Sequence, residues 1–453
     1  MISNKSNYLF FLLIILTNVL YSQDSWSLDD CIRYAIEHNL GIKDFEYTQE
    51  GNKETYRQSI RNLLPNLTGY SDYNIRYGRS VDPNNNSFVN TDFFSNNYSL
   101  AAEIDLFQGF QKINSIRSSK FLRQASEEET LHQKYLLGFR VMSAFYDVQF
   151  MKGLFAISKE QEEVSQKNYE LVKRQVSLGQ KAKADLYETE SALLADQLLV
   201  TQSKNNLESA KLALMQEMNL TRSGTISIQS VLMDTNQNSN QQIQDQDSIF
   251  RIAKDVVPMV KAQELRAKAA SKQVHVARGN LYPSLSLFAG YQTGYYETNQ
   301  DENTNTVIPF RTQIKDNASQ YVGVSLSIPI SNRWSNRSQI KQQKIALMRA
   351  ENNHTIQKQE LYDIIQQLVQ EGAALKTEFK QSIQKMKAQT LAFDIARKRY
   401  EKGLISIIEL NQSKNLFANS RNENLQVDLR LKVNESTLDF YKGLPVFNIN
   451  RAQ

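Results

Sequence analysis

Arg399-Tyr400-Glu401-Lys402-Gly403, followed by Ile408-Glu409-Leu410, has a weaker twin in Arg174-Gln175-Val176-Ser177-Leu178-Gly179, followed by Ala184-Asp185-Leu186. Glycine matches glycine and acid-leucine matches acid-leucine at a constant shift of 224 residues. Each stretch follows a long segment without proline and precedes an apolar-periodic one, so each reads as a glycine-centred turn between two helices. Nearer the start of each copy, Leu64-Pro65-Asn66-Leu67 recurs as Tyr282-Pro283-Ser284-Leu285 at a shift of 218. The slip of six residues between the two shifts falls between the prolines and the next strands, where a loop absorbs an insertion. A repeat of about 200 residues is too long for a solenoid unit and reads as a duplicated structural module.

The helical segments before the turns are very long. Gln108 to Leu178 and Arg333 to Lys402 contain no proline, and Gly138 and Gly153 mark candidate weak points in the first. At about 1.5 Å per residue such a segment reaches roughly 105 Å, more than a compact core requires. After the turns, Leu186, Leu193, Val200, Leu207 and Leu214 are spaced by seven, as are Leu410, Phe417, Asn424, Leu431 and Leu438, with Asn424 as the one polar interruption. A sustained spacing of seven imposes left-handed coiled-coil packing and specifies packing rather than chemistry.

Upstream of each long helix lie two segments of period two. Residues 65–77 and 95–106 in the first copy, and 284–296 and 318–330 in the second, alternate apolar with polar or small side chains. Tyr98, Leu100, Ala102, Ile104 and Leu106 face one way, Ser99, Ala101, Glu103 and Asp105 the other. These are strands with one wet and one apolar face. Gly78 to Asp92 and Glu297 to Asp316 read as polar hairpin loops. The tyrosines and phenylalanines around them fit an interfacial aromatic belt and, equally, the general preference of aromatics for strands. A helix from Ser27 towards Arg61 opens the first copy, and its counterpart from Asp247 to Gly279 is broken or kinked at Pro258.

Residues 1–22, with Lys5 ahead of an apolar run from Tyr8 to Leu20, read as a secretory signal peptide. The first repeat then occupies 23–220, a polar Gln/Asn-rich linker 221–246, with a short strand at Thr225 to Ser230, the second repeat 247–445 and a tail 446–453. The single cysteine, Cys31, excludes an internal disulfide and reads as a small helix-face residue. Net charge is +5 with both signs interleaved, so no nucleic-acid partner is expected. His38, His132, His275 and His354 lack ligand spacing, and no phosphate loop or nucleophile motif occurs, so neither enzyme nor metal nor cofactor is expected.

Four strands do not close a barrel, and an open sheet in lipid leaves unpaired backbone groups. If the strands are transmembrane, several chains share one barrel. The signal peptide, the duplicated order of helix, two strands, long helix, turn and helix, and the two turn stretches together resemble the TolC-like outer-membrane efflux proteins over about residues 24–445. The resemblance implies a mainly α fold with a β-barrel portion: a homotrimeric, 12-stranded outer-membrane barrel continued by a 12-helix periplasmic α-barrel. It implies an exit duct for a tripartite efflux or type I secretion system, served by a periplasmic adaptor and an inner-membrane RND, ABC or MFS pump, with outer-membrane lipid around the barrel. The periplasmic gate positions correspond to Glu409 and Gln412, so one acidic ring is kept and the other is neutral. Tyr400 corresponds to the gate tyrosine, Asp185 to the acid it pairs with, and Ile405 stands where an arginine is expected. The adaptor contacts correspond to the tips, Leu178-Gly179-Gln180 and Gly403-Leu404. A gate held more by packing than by charge is implied, with a ring of Glu409 carboxylates favouring cations. Against this stand two other readings: Glu409 as a plain helix N-terminal acid, and the chain as a secreted coiled-coil scaffold without a pore.

Overall fold

The computed structural model describes residues 25–82, 86–90, 92–221, 226–229, 245–301, 304 and 306–447. The expected signal peptide and most of the linker lie outside them. In chain order the elements are α1 (Leu28–His38), α2 (Leu40–Arg61), β1 (Asn66–Arg76), β2 (Arg79–Val81), β3 (Phe88–Asn90), β4 (Phe93–Gln108), α3 (Gln111–Ser177) and α4 (Lys183–Glu217). The second copy continues with α5 (Gln246–Val256), α6 (Pro258–Gly279), β5 (Ser284–Tyr296), α7 (Phe310–Asp316), β6 (Ser319–Ser327), α8 (Ser335–Glu401) and α9 (Ile407–Tyr441). The duplication holds to the residue: α1 and α2 map onto α5 and α6 at a shift of 218, α3 and α4 onto α8 and α9 at 224.

The opening helix is broken in both copies at the same repeat position, by different chemistry. Sequence reading treats Ser27 to Arg61 as one helix; the structure ends α1 at His38 and begins α2 at Leu40. Asn39 is extended, and its Oδ1 accepts from the backbone N–H groups of Gly41 and Ile42, at 2.9 and 3.2 Å, so its side chain caps the next helix. In the second copy Val257 is extended because Pro258 follows it. Ser27 caps α1 in a reciprocal box with Asp30.

Two compact units form. The first comprises the described residues of Met1–Tyr47, Glu128–Lys261 and Gln357–Gln453, the second those of Thr48–Glu127 and Ala262–Ile356; α3 and α8 contribute to both. In the first unit, equivalent positions fill equivalent cores. Cys31, Ala35, Ile42, Leu137 and Val141 are buried in one cluster, and Ile249, Ala253, Val260, Leu361 and Ile365, their repeat counterparts, in another. Burial pushes the Cys31 thiol up to about 12. Of the linker, Ile228 forms a parallel bridge with Trp26. Phe447, in the expected tail, is buried against Gly138 and Phe139.

Neither Gly138 nor Gly153 weakens α3, which runs unbroken through both. They are packing notches: a Cβ at Gly138 would meet the Phe447 ring, and one at Gly153 would meet Leu425 of α9. The heptad stripes face inward as expected, with Leu193, Leu207, Leu214, Leu410 and Leu431 buried. The interruption, Asn424, is buried too, and its Nδ2 donates to Ser382 Oγ of α8 at 3.0 Å.

The second unit holds an antiparallel four-stranded sheet in the order β1-β4-β5-β6, leaving β1 and β6 as edges. Register places apolar rows across the sheet: Leu67–Ala102–Ala289–Val322, then Ile104–Leu287–Val324. The opposite face carries Asn66, Glu103, Asp105, Ser286 and Ser325. The apolar face is uncovered, Val322 being 77% exposed. The regular alternation expected to Leu106 fails there, because the β4–β5 register shifts between Asp105 and Phe107, and Phe107 rather than Leu106 meets Leu285. The expected plain loops also carry structure. Gly78 to Asp92 contains the β2–β3 ribbon. Glu297 to Asp316 contains α7, held because buried Gln313 bonds both the N–H and the carbonyl of Tyr296.

Two measurements check this packing. Gly153→Val inserts a side chain where Leu425 sits and is expected to cost about 1–3 kcal/mol, whereas Gly51→Ala, facing open space, should gain up to about 1 kcal/mol; thermal unfolding by circular dichroism in detergent separates them. Cys31 should resist maleimide at pH 8 until the protein is denatured, since its thiol remains protonated and buried.

Candidate functional site: the helical tips

The first unit contains both turns. After α3, Gly179 takes φ +72°, Gly179 N–H bonds to Val176 and Gln180 N–H to Gln175. After α8, Gly403 takes φ +71°, Gly403 N–H bonds to Tyr400 and Leu404 N–H to Arg399. Both are Schellman closures, in which the left-handed residue lets the chain reverse while satisfying the last carbonyls. Leu178 and Leu404 stand out at the tips, 65% and 64% exposed. Gln180 is exposed beside the first.

The helices leaving the two turns begin differently. At α9, Ser406 Oγ accepts from Glu409 N–H at 3.2 Å while Glu409 Oε1 accepts from Ser406, completing a capping box. At α4 the cap position is Ala182, without a side-chain bond, and Lys183 opens the helix. Glu409 therefore does serve as a helix N-terminal acid, and its side chain remains exposed, as does Gln412. Asp185 is half-buried in the first turn of α4.

Tyr400 is 7% exposed and belongs to a cluster with Phe393, Ile407 and Leu410, against which Ile405 packs. Ile405 thus fills with packing the position where a charged partner was expected. The partner beside the Tyr400 hydroxyl is Lys181, its Nζ 3.5 Å from the oxygen and 4.9 Å from the ring centroid. The structure brings Tyr400, Ile405 and Lys181 together, with Asp185 in the first turn of α4.

Both turns carry basic residues, with Asp185 and Glu409 following as the first acids of the returning helices. Between Leu171 and Ala184 there are four basic residues and no acidic one; between Ile395 and Ile408 there are four basic and one acidic. The chain as a whole has 53 basic and 48 acidic residues. Arg174, Lys398 and Arg399 lie in the last turns of α3 and α8, where cations suit the helix dipole. Lys181 and Lys183 sit at the positive end of α4, where the dipole opposes them.

Sequence reading missed a buried ionic group roughly two to four turns in from the helix ends. Lys414 of α9 donates to Ser165 Oγ of α3 at 2.7 Å and pairs directly with Asp196 of α4, to which Ser165 Oγ also donates at 2.5 Å. A signal was present. Thr189, Asp196, Ser203 and Ala210 form a second stripe spaced by seven, all buried, beside the leucine stripe. Being small and polar, it carries no hydropathy signal.

Residues 32–220 and 250–444 match the outer membrane efflux protein family. The chain belongs to that family. Among solved structures, a CusC channel matches with TM-score 0.76 at 17% identity, covering 92% of each chain. The Campylobacter jejuni CmeC outer membrane channel matches with TM-score 0.75 at 14% identity, covering 92% of this chain and 85% of that one. The open state of the Neisseria gonorrhoeae MtrE outer membrane channel matches with TM-score 0.72 at 15% identity, covering 94% and 90%. No curated protein sequence matches. The protein is an outer membrane efflux protein by family, with the fold of solved outer membrane channels.

The two helix starts are separable by mutation. Ser406→Ala should destabilise by about 1 kcal/mol through loss of the cap, and Ala182→Ser should stabilise by a similar amount by supplying the missing one; thermal midpoints in detergent check the opposite signs.

Proposed function

We propose that three copies of the chain assemble into one duct, with the tips as its periplasmic gate and as the docking site of a periplasmic adaptor that links it to an inner-membrane RND, ABC or MFS pump. The observation that carries this is the open sheet: four strands, two unpaired edges and an exposed apolar face. Lipid covers that face but cannot satisfy the edges, so β6 of one copy needs β1 of another. Three copies supply twelve strands, within the range of outer-membrane barrels. Detergent extraction of the outer membrane followed by light scattering should give the mass of a trimer; a monomer soluble without detergent overturns the assembly.

At the gate, Tyr400, Ile405 and the apolar cluster close the tip by packing, and Glu409 from each copy lines the aperture with carboxylate. Glu409→Ala should lower the cation-to-anion permeability ratio of single channels in planar bilayers by about twofold or more. Unchanged selectivity and cation block would sink the ring.

Lys181 and Lys183 stand at the start of α4, where its dipole disfavours them, which supports an adaptor surface rich in carboxylates, with sockets for Leu178 and Leu404. Lys181→Glu with Lys183→Glu should weaken binding of the cell's own purified adaptor by about tenfold, and raised salt should weaken the wild-type complex. Surface plasmon resonance across a salt series reads both; salt-independent binding of both proteins would argue for a purely apolar contact.

A further inference from the structure

The first repeat's hairpin, α3 and α4, meets α9 of the second along a mostly apolar seam. Leu425 fills the notch at Gly153, and Val164 packs on the cluster of Phe393, Tyr400, Ile407 and Leu410. At one level the seam is ionic. The Lys414 side chain is 4% exposed and that of Asp196 9%, and Ser165, also buried, bonds both. Other ion pairs on α9 differ in kind: Arg421–Glu160, Lys385–Glu423 and Arg430–Glu371 each keep a substantial part of both side chains in solvent.

A buried pair of this sort is poorly explained as a source of stability. Desolvation of both charges offsets most of their attraction, and well-packed apolar replacements are often as stable. What an apolar seam lacks is a unique register. Stripes repeating every seven residues pack almost as well when displaced, whereas a buried charge has its counter-ion at one height and one rotation. Lys414 finds Asp196 and Ser165 at a single level, and any slide or roll of α9 strands an uncompensated charge. Lys414 stands five residues beyond Glu409 on the same helix, about 7.5 Å further along its axis, so what fixes Lys414 fixes Glu409. On its other side α9 is tied to α8 by the buried Asn424–Ser382 bond, so the second hairpin answers as a pair.

We propose that Lys414, Asp196 and Ser165 are positioning residues: a register pin that sets the height and rotation of the second tip against the first and thereby holds the aperture at its resting width. The proposal rests on the reading of the tips as the gate. Rupture of the pin permits the α8–α9 hairpin to shift against α3 and α4, and the aperture widens.

The experiment uses the full-length protein in planar bilayers, with trimer mass and thermal midpoint measured on the same preparations. Lys414→Met with Asp196→Leu replaces the ion pair by apolar side chains of similar volume. The expected result is an intact trimer with an unchanged or raised thermal midpoint and a severalfold increase in resting conductance or open time. Exchange of the charges, Lys414→Asp with Asp196→Lys, should return conductance towards wild type. Arg421→Ala, which removes the exposed pair between the same helices, should leave conductance unchanged. Should the apolar variant not assemble, Asp196→Asn, which keeps shape and removes the counter-charge, is read in the same way. Wild-type resting conductance in a folded apolar or Asp196→Asn variant overturns the pin and leaves the gate reading standing. A wild-type protein that forms no channels overturns the gate reading itself.

Discussion

A β-sheet with an uncovered apolar face and two unpaired edges is at rest in neither solvent. Water opposes the face through exposed Leu67, Val322, Val324 and Leu326. Lipid opposes the edges, because each unpaired backbone group there costs several kcal/mol. The remaining architecture follows from how that conflict is resolved. Among the described residues each repeat makes two of the long strands, four in all, and the pairing of β4 with β5 joins the copies into one sheet. On the proposed assembly closure comes from other copies of the chain, and membership of an outer membrane efflux family supplies the lipid that covers the apolar face.

The helical half obeys a different rule. There the core is a set of heptad seams, and duplication lets equivalent positions do equivalent work: Cys31 and Ile249, Leu137 and Leu361, Val141 and Ile365 occupy matching places in two separate clusters. The copies diverge where chemistry can substitute for chemistry. Asn39 breaks the opening helix with its side-chain oxygen, Val257 with the proline behind it, and the break falls at the same repeat position. Asn219 at φ +54° stands where Gly443 does the same at +77°. A backbone geometry is being kept while the residues that satisfy it change.

Much of this was legible in the sequence because it repeats with a period. Period two marked the strands, spacing of seven marked α4 and α9, and the constant shifts marked the duplication. What was not legible depends on contacts distant in sequence. Gly138 and Gly153 look like weak points in a helix and turn out to be notches for Phe447 and Leu425, residues 309 and 272 positions away. The bulge at Leu106 and the short helix α7 depend on partners in β5. At the tips, glycine geometry was readable but the Lys181 contact of Tyr400 was not, since which side chain reaches the hydroxyl depends on a few ångströms across the turn. The buried stripe of Thr189, Asp196 and Ser203 escaped because polar residues spaced by seven look like a solvated face until a lysine is placed against them.

The two tips share one backbone and have opposite energetics. The second is capped by Ser406 and Glu409, seated on the Tyr400 cluster and joined through α9 to Lys414. The first has no side-chain cap and carries Lys183 against the dipole of its own helix, with Asp185 in the same turn as the only offset. Local rules are broken at one tip and kept at the other, although both descend from the same module. A helix start left weak is free to reorganise when a partner supplies carboxylates to its lysines; a helix start made strong transmits position. On the proposed reading of the tips as gate and docking site, the asymmetry divides labour, with the first tip suited to recognition and the second to holding the aperture, and the buried lysine on the side that holds.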